Sequence, residues 1–351
     1  MKIDEYFELD AFSPNIEKNN YFFSLIKNLI KHHYKNSSEY RRILDHLAYD
    51  LDNNEINRIP FLPVNLFKSL KLRSIPENKI FKTLKSSGTS NNKPSQIYLD
   101  KENSRNQIKI LSKIISPTLG KERLPMLVID KKPSLEDRTR FDAKTAAFYG
   151  FSIFGKNYTF VLNDKGLLDY DILNDFLKKY GSSNFLIFGF TSLVYQNLYI
   201  DLIKKKLKFN FSKGILLHGG GWKKMFNIKV NNYSFKKNLK NKLGLSKIFN
   251  YYGLVEQTGS IFIECGKCSS FLTSIFSDII IRDQNFNVQP NGKKGFIQLI
   301  SLLPTSYPGH SILTEDIGEI INNKCDCSKI GKRFIVHGRI KKAEVRGCSD
   351  I

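Results

Sequence analysis

Three short runs decide what kind of fold this chain can take. LPMLVID (residues 124–130), NFLIFGF (184–190) and GILLHGG (214–220) are apolar at nearly every position. Successive residues of a strand point to opposite faces, so a strand with one wet face alternates apolar and polar side chains. Runs without that alternation belong to strands covered on both sides, as in a parallel sheet between helical layers. The segment from about Ser192 to Lys206, between the second and third runs, reads as a covering helix. The middle of the chain therefore predicts an α/β sheet.

The flanks differ from this middle. Ile16, Tyr21, Phe22, Leu25, Ile26, Leu29 and Ile30 recur at helical spacing, which predicts helix within residues 15–50. IPFLPVNLF (59–67) is a proline-punctuated extended stretch. FKTLK (81–85) leads into a small, polar loop, SSGTSNNKPS (86–95), and then into the strand-like QIYLD (96–100). Beyond Tyr251 the texture becomes β-rich: SIFSDIIIRD, GFIQLIS, GEIIN and KRFIVHGR are separated by Gly, Asn and Pro turns. The expected division is an α/β subdomain with N-terminal helices over residues 1–250, a β-rich subdomain over 251–340, and a short tail over 341–351.

Composition narrows the class. Hydrophobic residues make up 41% and charged residues 25%, the balance of a soluble globular protein. No run of about 18 apolar residues exists, so no membrane span is expected. The N-terminus, MKIDEYFELDAF, is acidic and lacks a long apolar stretch, which argues against a signal peptide and for the cytoplasm. The net charge is +22. The basic residues are scattered (KHHYK, then pairs and triplets at 204–206, 223–224 and 341–342), so they read as a solvated surface. No nucleic-acid motif accompanies them and no nucleic-acid partner is expected; an acidic acyl carrier protein would suit such a surface. The five cysteines, Cys265, Cys268, Cys325, Cys327 and Cys348, all lie beyond residue 264. That clustering fits metal binding or thiol chemistry in a reducing compartment better than a disulfide framework.

Five segments carry residue types suited to nucleotide chemistry. Ser86-Ser87-Gly88-Thr89-Ser90 offers hydroxyls and backbone N–H groups to phosphate oxygens, without the spacing of a Walker A loop. His218-Gly219-Gly220-Gly221-Trp222 follows an apolar strand, and its glycines let a flat ligand approach the backbone. In Tyr251-Tyr252-Gly253-Leu254-Val255-Glu256, an aromatic ring can stack on a purine. The carboxylate four residues on can hold a Mg²⁺ that bridges phosphates. In Thr314-Glu315-Asp316, the aspartate at a strand end can take two ribose hydroxyls, and Arg339 of Gly338-Arg339-Ile340-Lys341 can add a phosphate or ribose contact.

In this order and at these separations the segments resemble the adenylate-forming superfamily of acyl-CoA synthetases and luciferases. LPVNLFKS, KSSGTS, PSQIYLD, HGGGWKK, YYGLVEQTG, SYPGHSILTEDIGEI and GRIKKAEVRGCSD together resemble the LuxE-type acyl-protein synthetases of bacterial fatty-acid reductase complexes. The resemblance runs over nearly the whole chain. It implies the large α/β domain of that superfamily and an ATP-dependent activation of a carboxylic acid, most simply a fatty acid, as an acyl adenylate. It assigns Ser86, Ser87, Gly88 and Thr89 to the ATP phosphates, and Gly219, Gly220 and Gly221 to the adenine, with Tyr252 against its face. Glu256 falls to Mg²⁺, Asp316 and Arg339 to the ribose and its surroundings, and Lys341 to the hinge position.

The sequence also departs from that superfamily. Its phosphate loop usually continues Thr-Gly-x-Pro-Lys, whereas here Ser90-Asn91-Asn92-Lys93-Pro94 follows. Glu315 stands where a Thr-Gly-Asp motif has glycine. The sequence ends ten residues after Lys341, so the usual C-terminal lid domain is not expected. Instead Cys348 lies in VRGCSDI, where the family is similar in carrying an acyl-accepting cysteine. Arg339, Lys341, Lys342 and Arg346 lie close in sequence, and cations favour the thiolate that attacks an acyl adenylate. The family resemblance adds a partner, an acyl reductase that receives the acyl group. Finally, Cys265 and Cys268 form a CxxC pair and Cys325 and Cys327 a CxC pair. Four thiolates in two close pairs suit a tetrahedral structural Zn²⁺, and phenylacetate-CoA ligase-like proteins are similar in having cysteine clusters in these regions.

Overall fold

A computed structural model describes residues 2–13, 18–86, 93–133, 143–222, 230–322 and 325–340. The chain forms two compact units, one of Met1–Ile115 with Gly253–Glu344 and one built on Ser116–Tyr252. Among the described residues, no helix is long and apolar enough to cross a membrane.

The first unit begins with helices. The amphipathic pattern expected within 15–50 is two helices, Lys18–Asn36 and Ser38–His46. They break at Ser37, whose hydroxyl accepts from the Tyr40 N–H at 3.4 Å and so caps the second helix. The proline-punctuated stretch supplies strand β1 (Leu62–Pro63). Strands β2 (Lys82–Lys85) and β3 (Gln96–Leu99) then form an antiparallel pair at the two ends of the polar loop.

The second unit is the parallel sheet that the three apolar runs require. Its strands are β4 (Leu124–Lys131), β5 (Gly155–Leu162), β6 (Phe185–Phe190), β7 (Gly214–Gly219) and β8 (Lys247–Tyr252). They lie in the order β8-β7-β6-β4-β5, all parallel. Alternate side chains go to opposite faces, and both faces of β4, β6 and β7 are dry. Leu127, Ile129, Phe185, Ile187 and Leu216 pack with Val194, Leu198 and Leu202 of the helical segment 191–204, and with Phe235 and Leu239. Their neighbours Met126, Val128, Leu186, Phe188 and Leu217 are equally buried. Phe188 meets Phe151, of helix Ala143–Ser152, at 5.3 Å between ring centroids. Truncating any one of these large side chains to alanine is worth about 2–5 kcal/mol. The covering helix Asn232–Leu243 has both ends written in the sequence. Asn231 accepts from the Ser234 N–H at 2.8 Å, and Gly244 takes the left-handed conformation (φ +75°) that ends it.

The chain returns to the first unit as a β meander. Strands β9 (Phe262–Glu264), β10 (Phe271–Leu272), β11 (Ser277–Arg282), β12 (Gly295–Ser301), β13 (Ser311–Ile321) and β14 (Arg333–Arg339) lie in the order β11-β12-β13-β14-β10-β9. Every neighbouring pair among them is antiparallel, and β1 adds to β13 in parallel. A buried polar cluster ties the helices to this sheet. His33 shares hydrogen bonds with Ser74 Oγ (2.7 Å) and the Pro304 carbonyl (2.9 Å) and stacks on His310 at 4.9 Å, while the Tyr40 hydroxyl lies 3.2 Å from His310 Nε2. Burial holds both histidines neutral. It pushes His310 down to about 3, with His32 adding to the shift, and His33 well below its ordinary value, with His310 and His32 adding.

Candidate functional site

In the second unit, the end of β7 is shaped by what it packs on. Gly219 pairs in register with Tyr251 of β8. A Cβ on Gly219 would stand 2.6–2.8 Å from three carbons of the Tyr251 ring, so only glycine fits there. The ring is itself held, 4.6 Å from Phe151. Gly220 and Gly221 then turn the chain through left-handed conformations, φ +79° and +65°. Both are exposed, and no heavy atom lies within 4 Å of where a Gly221 Cβ would be. Tyr252 ends β8, and strand alternation sends its side chain to the face opposite Tyr251. Because β7 and β8 are parallel, Gly220, Gly221 and Tyr252 come to one edge of the sheet, the carboxyl edge where ligands of α/β sheets bind.

Beneath that turn lies a buried contact that sequence reasoning missed. The Thr191 hydroxyl donates to the Gly219 carbonyl at 3.0 Å and lies 2.9 Å from His218 Nδ1. A hydroxyl has one proton, so His218 must present Nδ1–H to it. Nε2 then carries the lone pair and has no hydrogen-bond partner among the described residues. Burial, with Lys236 adding to it, pushes His218 down to about 3, consistent with that neutral tautomer. The signal was a lone threonine directly after an apolar strand.

In the first unit, Glu256 sits in a single turn, Val255–Gln257, and is 4% exposed. The turn is held from several sides. The Tyr307 hydroxyl donates to the Glu256 carbonyl at 3.0 Å, and Gln257 Nε2 donates to the carbonyls of Leu299 (3.1 Å) and Gly309 (2.8 Å). Asp316 and Arg339 are direct cross-strand partners on β13 and β14. Arg339 Nε donates to Asp316 Oδ1 at 3.2 Å, with Asp316 6% exposed. The Thr314 hydroxyl accepts from the Asp316 N–H (3.1 Å) and donates to the Ile297 carbonyl (2.9 Å), fixing the approach to the aspartate. Glu315 turns away from this pair and accepts from Asn65 Nδ2 at 2.6 Å. Ser86 closes the β2–β3 pair: its hydroxyl accepts from the Ser95 N–H at 2.8 Å.

The cysteine pairs come together in this unit. Cys265 follows β9 and Cys268 precedes β10, in a tight turn where Ser269 takes φ +55°. Cys265 Sγ lies 3.7 Å from Cys325 Sγ, and the sulfurs of Cys265, Cys325 and Cys327 all lie within 4.8 Å of one another. Ser87, Gly88, Thr89, Lys341 and Cys348 lie outside the described residues.

Comparison with known proteins adds what geometry cannot. Residues 5–351 match the family described as "Acyl-protein synthetase, LuxE". The long-chain-fatty-acid–luciferin-component ligase of Photorhabdus luminescens is 38% identical over 79 residues, which are 22% of this chain and 66% of that sequence, just under two thirds of it. Among solved structures, 2-hydroxyisobutyryl-CoA ligase in the postadenylation state, in complex with 2-HIB-AMP, superposes with a TM-score of 0.75 at 13% identity, over 94% of this chain and 69% of its own. The amide bond synthetase McbA from Marinactinospora thermotolerans gives 0.50 at 13% identity, over 83% and 53%. The luciferase-like enzyme of the mealworm Zophobas morio gives 0.50 at 16% identity, over 77% and 60%. These likenesses show the fold, the large domain of adenylate-forming enzymes.

Proposed function

Because the chain belongs to the LuxE acyl-protein synthetase family, we propose that it activates a long-chain fatty acid with ATP and passes the acyl group to a thiol. In the first step a carboxylate oxygen attacks the α-phosphorus of ATP and pyrophosphate leaves, giving an acyl adenylate. In the second a cysteine thiolate attacks the acyl carbon and AMP leaves, giving a thioester. Within the chain, the observation that carries this reading is the Asp316–Arg339 pair. A buried carboxylate with one oxygen anchored by arginine is built to accept hydrogen bonds from a vicinal diol, which is what a ribose offers.

The remaining roles follow residue by residue. Ser86, Ser87, Gly88 and Thr89 hold the phosphates. The backbone at Gly219, Gly220 and Gly221, exposed at the last two, receives the adenine, with Tyr252 against its face. Thr191 and His218 position that turn from below. Glu256 is the residue that would hold a Mg²⁺, whose chemistry there would be to offset phosphate charge. Lys341 occupies the hinge position. Cys348 is the first acyl acceptor, and a cysteine of a partner acyl reductase the second.

The test is a pair of measurements on wild type and Cys348→Ser. Carboxylate-dependent ATP–pyrophosphate exchange should survive the substitution, and hydroxylamine-sensitive acyl labelling should disappear. Labelling that persists would remove Cys348 from the pathway. Free acyl-CoA or acyl-carrier product without a labelled chain would mark a ligase that uses an external thiol instead. Absence of exchange with any fatty acid would overturn the activation step itself.

A further inference from the structure

The four cysteines upstream of the tail are not used by the activity proposed above, and their geometry has its own meaning. Zinc–thiolate bonds are about 2.3 Å long, so two sulfurs on a tetrahedral zinc stand about 3.8 Å apart. Cys265 and Cys325, 60 residues apart in sequence, present their sulfurs at 3.7 Å. Cys327 completes a group of three within 4.8 Å. Cys268 is on the same turn as Cys265, with its sulfur 3.0 Å from Ser270 Oγ.

The surroundings are those of a bound charge. The Arg333 guanidinium donates to Cys327 Sγ at 2.9 Å and to Cys268 Sγ at 3.4 Å, so one side chain spans both pairs. Lys267 Nζ donates to the Asp326 carbonyl at 3.0 Å and joins the same two segments. Zinc with four thiolates carries a net charge of −2, and arginine donors on the sulfurs offset it while fixing their orientation. Unliganded surface cysteines have no need of such donors.

We propose that Cys265, Cys268, Cys325 and Cys327 bind one Zn²⁺, and that Arg333 is the positioning residue for its sulfur ligands. The metal would staple the starts of β10 and β14, which are sheet neighbours paired at Leu272 and Arg333. β14 runs from Arg333 to Arg339, so the strand held by the metal at one end delivers Arg339 to Asp316 at the other.

The full chain, purified without chelator or affinity metal, should contain about one zinc per chain by elemental analysis. Replacement by Co²⁺ should give the sulfur-to-cobalt charge-transfer band and the visible bands of tetrahedral thiolate coordination. Cys327→Ser and Cys268→Ser should each weaken retention against a chromophoric chelator. Arg333→Gln should weaken it roughly 10–100-fold while leaving the cobalt spectrum tetrahedral. If the serine variants fail to fold, the cobalt spectrum of the wild type decides. A folded, reduced protein that takes up neither Zn²⁺ nor Co²⁺ would overturn the proposal. So would a disulfide among these four cysteines in freshly isolated protein, or unchanged zinc affinity in Cys327→Ser.

Discussion

Replacing Gly219 by alanine tests the shape of the proposed adenine edge through a single methyl group. The new Cβ would stand 2.6, 2.7 and 2.8 Å from Cζ, Cε1 and Cε2 of Tyr251. Relaxed carbon contacts are about 3.5–4.0 Å, so the overlap is about 1 Å. The ring has little room to yield: Phe151 is 4.6 Å away, Phe188 lies parallel to it at 6.5 Å, and Tyr251 is 9% exposed. Overpacking of this kind costs about 1–3 kcal/mol, which should lower Tm by a few degrees. A shift of about 1 Å at the strand end should also weaken the use of ATP, by up to 10²-fold in kcat/KM for pyrophosphate exchange. Thermal unfolding and exchange kinetics would be measured for Gly219→Ala alone and in a Tyr251→Leu background. The smaller side chain makes room for the methyl, so the stability cost of Gly219→Ala should largely vanish there. A cost that is the same in both backgrounds would refute the steric argument. A wild-type KM for ATP in the single variant would refute the placement of adenine.

Two further outcomes follow from buried charge. Asp316→Asn keeps the shape but removes the charged acceptor of Arg339; losing charge-assisted hydrogen bonds worth about 1.5–3 kcal/mol should raise the KM for ATP roughly 10–100-fold, and an unchanged KM would remove Asp316 from ribose binding. Stability should fall on acidification below about pH 6.5. His218 and His310, both pushed down to about 3, stay neutral in the folded chain while the unfolded chain takes up their protons. Each costs about 2 kcal/mol by pH 5, and His33, held low by the same burial, acts in the same direction. A Tm that is flat between pH 7 and 5 would contradict this.

The parallel sheet was legible because a strand buried on both faces has no polar alternation, and Met126–Ile129, Phe185–Phe190 and Ile215–Leu217 show none. The ends of helix Asn232–Leu243 were equally plain, since Asn231 and Gly244 act on their immediate neighbours. The interrupted helix at Ser37 was not, because Tyr34, Tyr40 and Leu44 continue an apolar pattern across the break. Within the candidate site, Gly219 and the paired cysteines stood out as candidates by residue type. Thr191 and Arg333 did not: each matters through a partner distant in sequence, His218 for the first and Cys268 for the second.

What the sequence alone determined is the set of local commitments: which segments are dry on both sides, where helices stop, and which residues have the chemistry to meet a nucleotide or a thiol-seeking metal. The pairings were decided only by tertiary structure. Asp316 meets Arg339 because β13 and β14 are antiparallel in that register, and Cys265 meets Cys325 because β9, β10 and β14 are sheet neighbours. His33 meets His310 because a helix lies against the connection between β12 and β13. The physical reason is common to all three. A contact between residues far apart in sequence is set by the burial and register of whole elements, and no local preference of either residue encodes its partner.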